Sequence, residues 1–249
     1  QGEAWSNPPL PGTINEYLSA FEKYELTDIQ PRRQITYYPF VSGIYDGVKG
    51  ETDYALGSEL FWRPTSNSLL SASLLPDFGN VESDDVVVNL TAFEVFFPER
   101  RVFFLEGQDV FNTSPRTSGR AGPGGPISLL NTRRIGSAPI FDIPDDVDVV
   151  ATDRSQPTQL HGAVKLTGQS GNWRYGTLLA SEDESQIEGT REDGTPVTIS
   201  AVGRDFSIAR LLYEDTSSGG RRAIGWMGTN LSHPTIDATA HAVDMHYFS

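Results

Sequence analysis

From Gln34 onward the chain alternates with a period of two. Ile35, Tyr37 and Pro39 interleave with Thr36, Tyr38 and Phe40, and the run reaches Tyr45 before the turn signal Asp46-Gly47. Residues 54–62 and 69–75 repeat the pattern across a turn at 64–67, with Ser71 and Ser73 set against Leu70, Ala72 and Leu74. These segments predict an antiparallel meander. Alternation returns at Leu160, where Leu160, Gly162, Val164 and Leu166 oppose His161, Ala163, Lys165 and Thr167. A hairpin turn at Ser170-Gly171-Asn172 leads into a strand over 173–181. A polar, acidic loop is expected over 182–196. Strands are expected over 204–213, 222–231 and 239–248, with a tight turn at 216–220. Short turns alternate with long connections, as in barrels with short periplasmic turns and longer outer loops.

Between these two blocks the period changes. Val86, Leu90, Phe93 and Phe97 are spaced i, i+4, i+7, i+11, one face of a helix. Asp84 and Asp85 suit its first turn and Pro98 stops it, although Val86-Val87-Val88 argues for a strand. Two phenylalanine pairs, Phe96-Phe97 and Phe103-Phe104, flank the charged knot Pro98-Glu99-Arg100-Arg101, and Leu105-Glu106-Gly107 follows. Lipid would reject those charges, and a loop in water would not need the rings. The segment belongs against a wall that is both apolar and ionic. Residues 112–158 read as a long loop: 117–126 is dense in Gly and Pro, and 142–153 in Asp. The chain thus divides into 1–33, a Pro-rich linker from a missing N-terminal domain with a helical or irregular piece near 17–24; 34–75, first barrel strands; 76–158, a plug-like insertion and long loop; and 159–249, further strands, truncated at the end. A start at Gln1 without a signal segment, and an end inside a strand-like stretch, lead us to expect a trimmed piece of a longer protein.

Composition removes several function classes. The net charge of −14 argues against nucleic acid and against a polybasic lipid anchor. Cys is absent, so there is neither a disulfide framework nor a thiolate metal site. No run of 18 apolar residues occurs, which excludes a transmembrane helix but not a transmembrane barrel.

Three stretches are longer and more specific than a short motif: Leu75-Pro76-Asp77-Phe78-Gly79-Asn80-Val81-Glu82-Ser83-Asp84; Phe97-Pro98-Glu99-Arg100-Arg101-Val102-Phe103-Phe104-Leu105-Glu106-Gly107; and Arg133-Arg134-Ile135-Gly136. With Asn89-Leu90-Thr91 and 160–168, they resemble a family of bacterial proteins of unknown function. In that family a family 9 carbohydrate-binding-module-like domain precedes a predicted outer-membrane β-barrel. The chain departs from the usual pattern at Leu75 (Asn is usual), Val102 (Pro) and Thr132 (Ser). The resemblance implies an all-β fold: the N-terminal part of an antiparallel outer-membrane-type barrel with a plug-like insertion containing a short helix. It also implies location in the outer membrane of Gram-negative bacteria, contact with the lipid bilayer and a role near glycans. It carries no catalytic residues.

The densest charged cluster is Glu99, Arg100, Arg101, Glu106 and Asp109, with Arg133 and Arg134 as partners for its carboxylates. Arg–carboxylate forks suit either a gate or a structural lock that fixes the segment to its wall. Glu99 with Glu106, or Glu82 with Asp85, would have to stand roughly 5 Å apart to act as a retaining glycosidase pair. Glu82, Asp84 and Asp85, or the loop 142–148, offer oxygens for Ca²⁺ but lack an Asp-x-Asp-x-Asp-Gly loop. His161, His233, His241 and His246 give no zinc spacing, and no Gly-x-Ser-x-Gly occurs. Trp173, Tyr175, Tyr213, Trp226 and Tyr247 form either an interfacial girdle or the core of a soluble sandwich. Arg174 and Arg210 lie within strands and must face a lumen or an interface. The expectation is a non-enzymatic pore or receptor, with an oligo- or polysaccharide as ligand and neither metal nor cofactor. The alternatives are a soluble carbohydrate-binding β-sandwich and part of a glycoside hydrolase.

Overall fold

The computed structural model describes residues 33–47, 50–76, 99–113, 129–216 and 220–248. The helix expected over 84–97, the carboxylates Glu82, Asp84 and Asp85, and the piece near 17–24 lie outside the described residues.

The fold is all-β. The strands are β1 (Gln34–Asp46), β2 (Glu51–Thr65), β3 (Ser68–Leu74), β4 (Val147–Val149), β5 (Leu160–Ser170), β6 (Trp173–Glu182), β7 (Ser185–Arg191), β8 (Pro196–Ala201), β9 (Asp205–Asp215), β10 (Arg221–Ser232) and β11 (Ala238–Phe248). Eight of them form one antiparallel sheet in the order β1-β2-β3-β5-β6-β9-β10-β11, and β4-β7-β8 form a second, small one. Among the described residues β1 pairs only with β2, and β11 only with β10. Among the described residues helical content is limited to single turns at Val102–Leu105, Gln108–Phe111, Thr132–Arg134 and Ala151–Arg154.

Two expected loops contain regular structure. The acidic stretch 182–196 holds β7, which pairs with β8 around Ile187 and Ile199. Its polar exposed positions hid a short alternation. The excursion 112–158 contributes β4, which pairs with β7, and Asp146 nearby forms an ion pair with Arg191.

At one end of the large sheet β2–β3 and β5–β6 are joined by tight two-residue turns, 66–67 and 171–172. The other end carries the two long connections, 75–159 between β3 and β5 and 183–204 between β6 and β9. β3 and β5 are nonetheless direct neighbours, with Leu74 opposite Gly162 and Ser71 opposite Lys165. The excursion therefore leaves and returns at adjacent points, and the Leu75 amide donates to the His161 carbonyl at 3.1 Å.

Pleating sends alternate side chains to opposite faces. One face, the covered face, receives residues 99–113 and 129–137. Phe103, Phe104, Val110 and Phe111 pack there with Ala163, Leu178, Ala180, Phe206, Ile208 and Met227. Leu160 joins them because a bulge between Leu160 and Gly162 turns it from the side of Val164 to that of Ala163. The strict alternation expected from Leu160 onward is corrected there.

Candidate functional site

The covered face places its ionic groups beneath the inserted segment. Glu99 and Arg101 form a two-point pair: Arg101 Nε donates to Glu99 Oε1 at 2.8 Å and Nη2 to Oε2 at 2.7 Å. The Glu99 side chain is 2% exposed and that of Arg101 6%. The same guanidinium donates to the carbonyls of Ile135 and Thr132, both at 2.6 Å, and lies 4.2 Å from the Phe104 ring centre. Burial alone would raise the Glu99 carboxyl. Hydrogen bonds from Arg101 and Thr132, with the charge of Arg101, outweigh it and hold that carboxyl below its ordinary 4.5.

A second clamp lies beside it. Glu182, 1% exposed, accepts from Arg204 Nε at 2.6 Å and from the Gly136 amide at 2.8 Å. Gly136 has φ +75, a conformation a side chain would strain, so the Arg-Arg-Ile-Gly turn ends on glycine for a physical reason. Gly107 is equally constrained: φ is +72, and a Cβ there would lie 2.7 Å from Thr167 Oγ1. Lys165, buried on β5, donates from Nζ to the carbonyls of Phe103 and Glu106, which satisfies oxygens at the end of the 102–105 turn.

The seven charged residues singled out in the sequence divide between these contacts. Glu99 pairs with Arg101, Glu106 with Arg63 at 2.6 Å, and Asp109 with Arg174. Arg100 is exposed, and its amide donates to Glu99 Oε1 at 3.0 Å. Arg133 is half-buried and Arg134 exposed; their turn reaches the cluster through the main-chain oxygens of Thr132 and Ile135. Sequence reasoning missed Lys165, Glu182 and Arg204. It also missed a third buried group, in which Arg210 Nη2 donates to Asp244 at 2.8 Å and His246 Nε2 lies 2.9 Å from Asp244 and 3.1 Å from the Thr113 carbonyl. The signal for those on strands was a charge at the polar position of an alternating strand; Arg204 stands just before β9. Arg174 and Arg210 both sit on the covered face, and Trp226 stacks on His241 on the other.

Between β1–β2 and the turn 102–106 a cavity of about 680 Å³ remains. Gln34, Tyr38, Glu59, Phe61, Arg63 and Glu106 line it.

The opposite, bare face is apolar and uncovered. Ile35, Val41, Leu56, Val164, Leu179, Leu211, Ile224, Val243 and Met245 all stand on it exposed, Leu56 at 68% and Met245 at 75%. Its charged residues among the described strands, Asp205, Asp215 and Arg222, fall within two residues of strand ends. Trp62, Trp173, Tyr213 and Tyr247 cluster towards the tight-turn end of this face, and the rings of Trp173 and Tyr213 lie 5.1 Å apart. No helix of the described residues is long and apolar enough to cross a membrane. Among them no group of three or more His, Asp or Glu could hold a metal ion.

No curated protein and no solved structure matches this chain. One family does: the chain belongs to the family described as Domain of unknown function (DUF5916), which matches residues 31–180.

Proposed function

We propose that this chain supplies wall strands of an outer-membrane β-barrel in a Gram-negative envelope, and that residues 76–158 are a plug-like insertion folded partly against the lumenal face. The barrel acts as a passive pore or receptor, with glycans as its ligand. The observation that carries this reading is the inverted polarity of the large sheet. Charges are buried on the face covered by the insertion, while the apolar face is exposed. In water such a face would cost about 25 cal/mol for each Å² of apolar surface. Facing lipid, it is the arrangement a barrel requires.

Three further features agree. Strands of 10 to 15 residues, such as β6 and β2, are long enough to cross a bilayer when tilted. Aromatic rings stand near both ends of the bare face, Trp62, Trp173, Tyr213 and Tyr247 at one and Tyr45 and Tyr54 at the other, where headgroup girdles would lie. Both long connections leave the same end of the sheet, which would set the insertion and the β7–β8 hairpin on the outer side. Closure requires further strands between β11 and β1, because lipid tolerates no unpaired edge. The glycan part rests on the companion domain of the similar proteins. A glycosidase reading is disfavoured because Glu99 is buried and committed to Arg101.

The test is membrane separation in the native host followed by electrophoresis with and without boiling. Outer-membrane fractionation with a heat-dependent shift in migration is the expected result. A soluble protein that migrates identically after boiling would overturn the barrel and make the sandwich the working reading.

A further inference from the structure

Among the described residues, the inserted segment does not fill the covered face evenly. Its phenylalanines are anchored on β5, β6, β9 and β10, and over β1–β2 the cavity of about 680 Å³ is left. That volume is in the range of small-molecule sites.

The cavity wall has a definite chemistry set by strand register. Tyr38 stands opposite Glu59, Thr36 opposite Phe61, and Gln34 opposite Arg63. The two rings are diagonal neighbours, 6.1 Å apart at an interplanar angle of 72°, and Tyr38 is 55% exposed. An amide, a carboxylate and a guanidinium therefore border two rings set edge to face. The guanidinium is already paired with Glu106, which leaves Glu59 as the remaining charge of the set. An anion would meet a carboxylate and an arginine that is already neutralised. A neutral, hydroxyl-rich ring would stack its C–H face on the exposed ring of Tyr38 and abut Phe61 at its side. Its hydroxyls would donate to Glu59 and bond both ways with Gln34.

We propose that this cavity is a saccharide-binding subsite for neutral oligosaccharide chains, with Tyr38 as the stacking ring, Phe61 as its side wall, and Glu59 and Gln34 as the polar contacts. The inference deepens the receptor reading above and rests on it for the route by which the ligand arrives.

The test is calorimetric titration of the full-length protein, with the strands that close the barrel, purified in an amine-oxide detergent so that no sugar headgroup competes. Maltohexaose, cellohexaose and chitohexaose are the probes, with citrate and spermidine as charged comparators. At least one hexasaccharide is expected to bind, and neither comparator. Tyr38→Ala is expected to weaken binding about tenfold, and Tyr38→Phe by less than about threefold, because the ring is kept. Glu59→Gln should weaken it several-fold. Binding of spermidine in preference to every sugar, or of no sugar at all, overturns the proposal. So does equal affinity of Tyr38→Ala and the parent chain. The same preparation is run with and without boiling. A heat-shifting barrel that ignores sugar sinks this subsite alone, whereas a heat-indifferent protein that binds sugar sinks the barrel and keeps the subsite.

Discussion

At the scale of single residues, the fold depends on ionised groups held out of water. Glu99 is the clearest case, with both oxygens committed to Arg101 and its carboxyl below the ordinary range. A carboxyl lowered in the folded state stabilises it above the unfolded value and stops doing so as pH falls through the folded one. The difference in unfolding free energy between the parent chain and Glu99→Gln should therefore be constant near neutrality. It should be about 3–5 kcal/mol, because the substitution leaves a buried arginine half-paired. Below about pH 4.5, the ordinary value, it should shrink. Chemical unfolding of both proteins over a pH series measures this, and a difference that does not shrink in acid would show that the pair contributes nothing as an ion pair. Much of this cluster was legible in the sequence, since Pro98-Glu99-Arg100-Arg101 stands out between two phenylalanine pairs. Its partners were not. Glu182 and Lys165 are ordinary charges on alternating strands, Arg204 stands just before β9, and only the fold brings them beneath the insertion.

At the scale of elements, the strands follow their period-two pattern and the errors fall at irregular positions. The bulge after Leu160 inverts one side chain, and β7 hides in a stretch whose outward positions are acidic. The exit from β3 is another such position. Leu75 has φ +46, a left-handed conformation that a leucine adopts at a cost of about 1–2 kcal/mol. The pattern that the chain resembles has Asn there, a residue whose side chain tolerates that conformation. Leu75→Asn is expected to stabilise the protein by about 1 kcal/mol, read as a higher midpoint of chemical unfolding. An unchanged or lower midpoint would mean that the leucine's contacts outweigh its backbone strain.

At the scale of the whole molecule, the sign of one substitution separates two solvents. Leu179 lies mid-strand on the bare face, opposite Val164 and 49% exposed. In lipid, Leu179→Arg should cost about 2–4 kcal/mol and reduce the fraction assembled in the membrane. In water, the same change would remove an exposed apolar side chain and improve solubility. Assembly yield in outer-membrane fractions decides between them. This polarity was only half legible, because alternation reveals that two faces differ but not which one is covered. The adjacency of the points where residues 75–159 leave and rejoin the sheet has a consequence of its own. Leu74 and Gly162 would face each other whether the chain between them were long or short, and lengthening a loop costs only about 0.6 kcal/mol per doubling. The wall and its passenger are therefore separable inventions. Exchanging the passenger would leave every strand of the large sheet with its present neighbours.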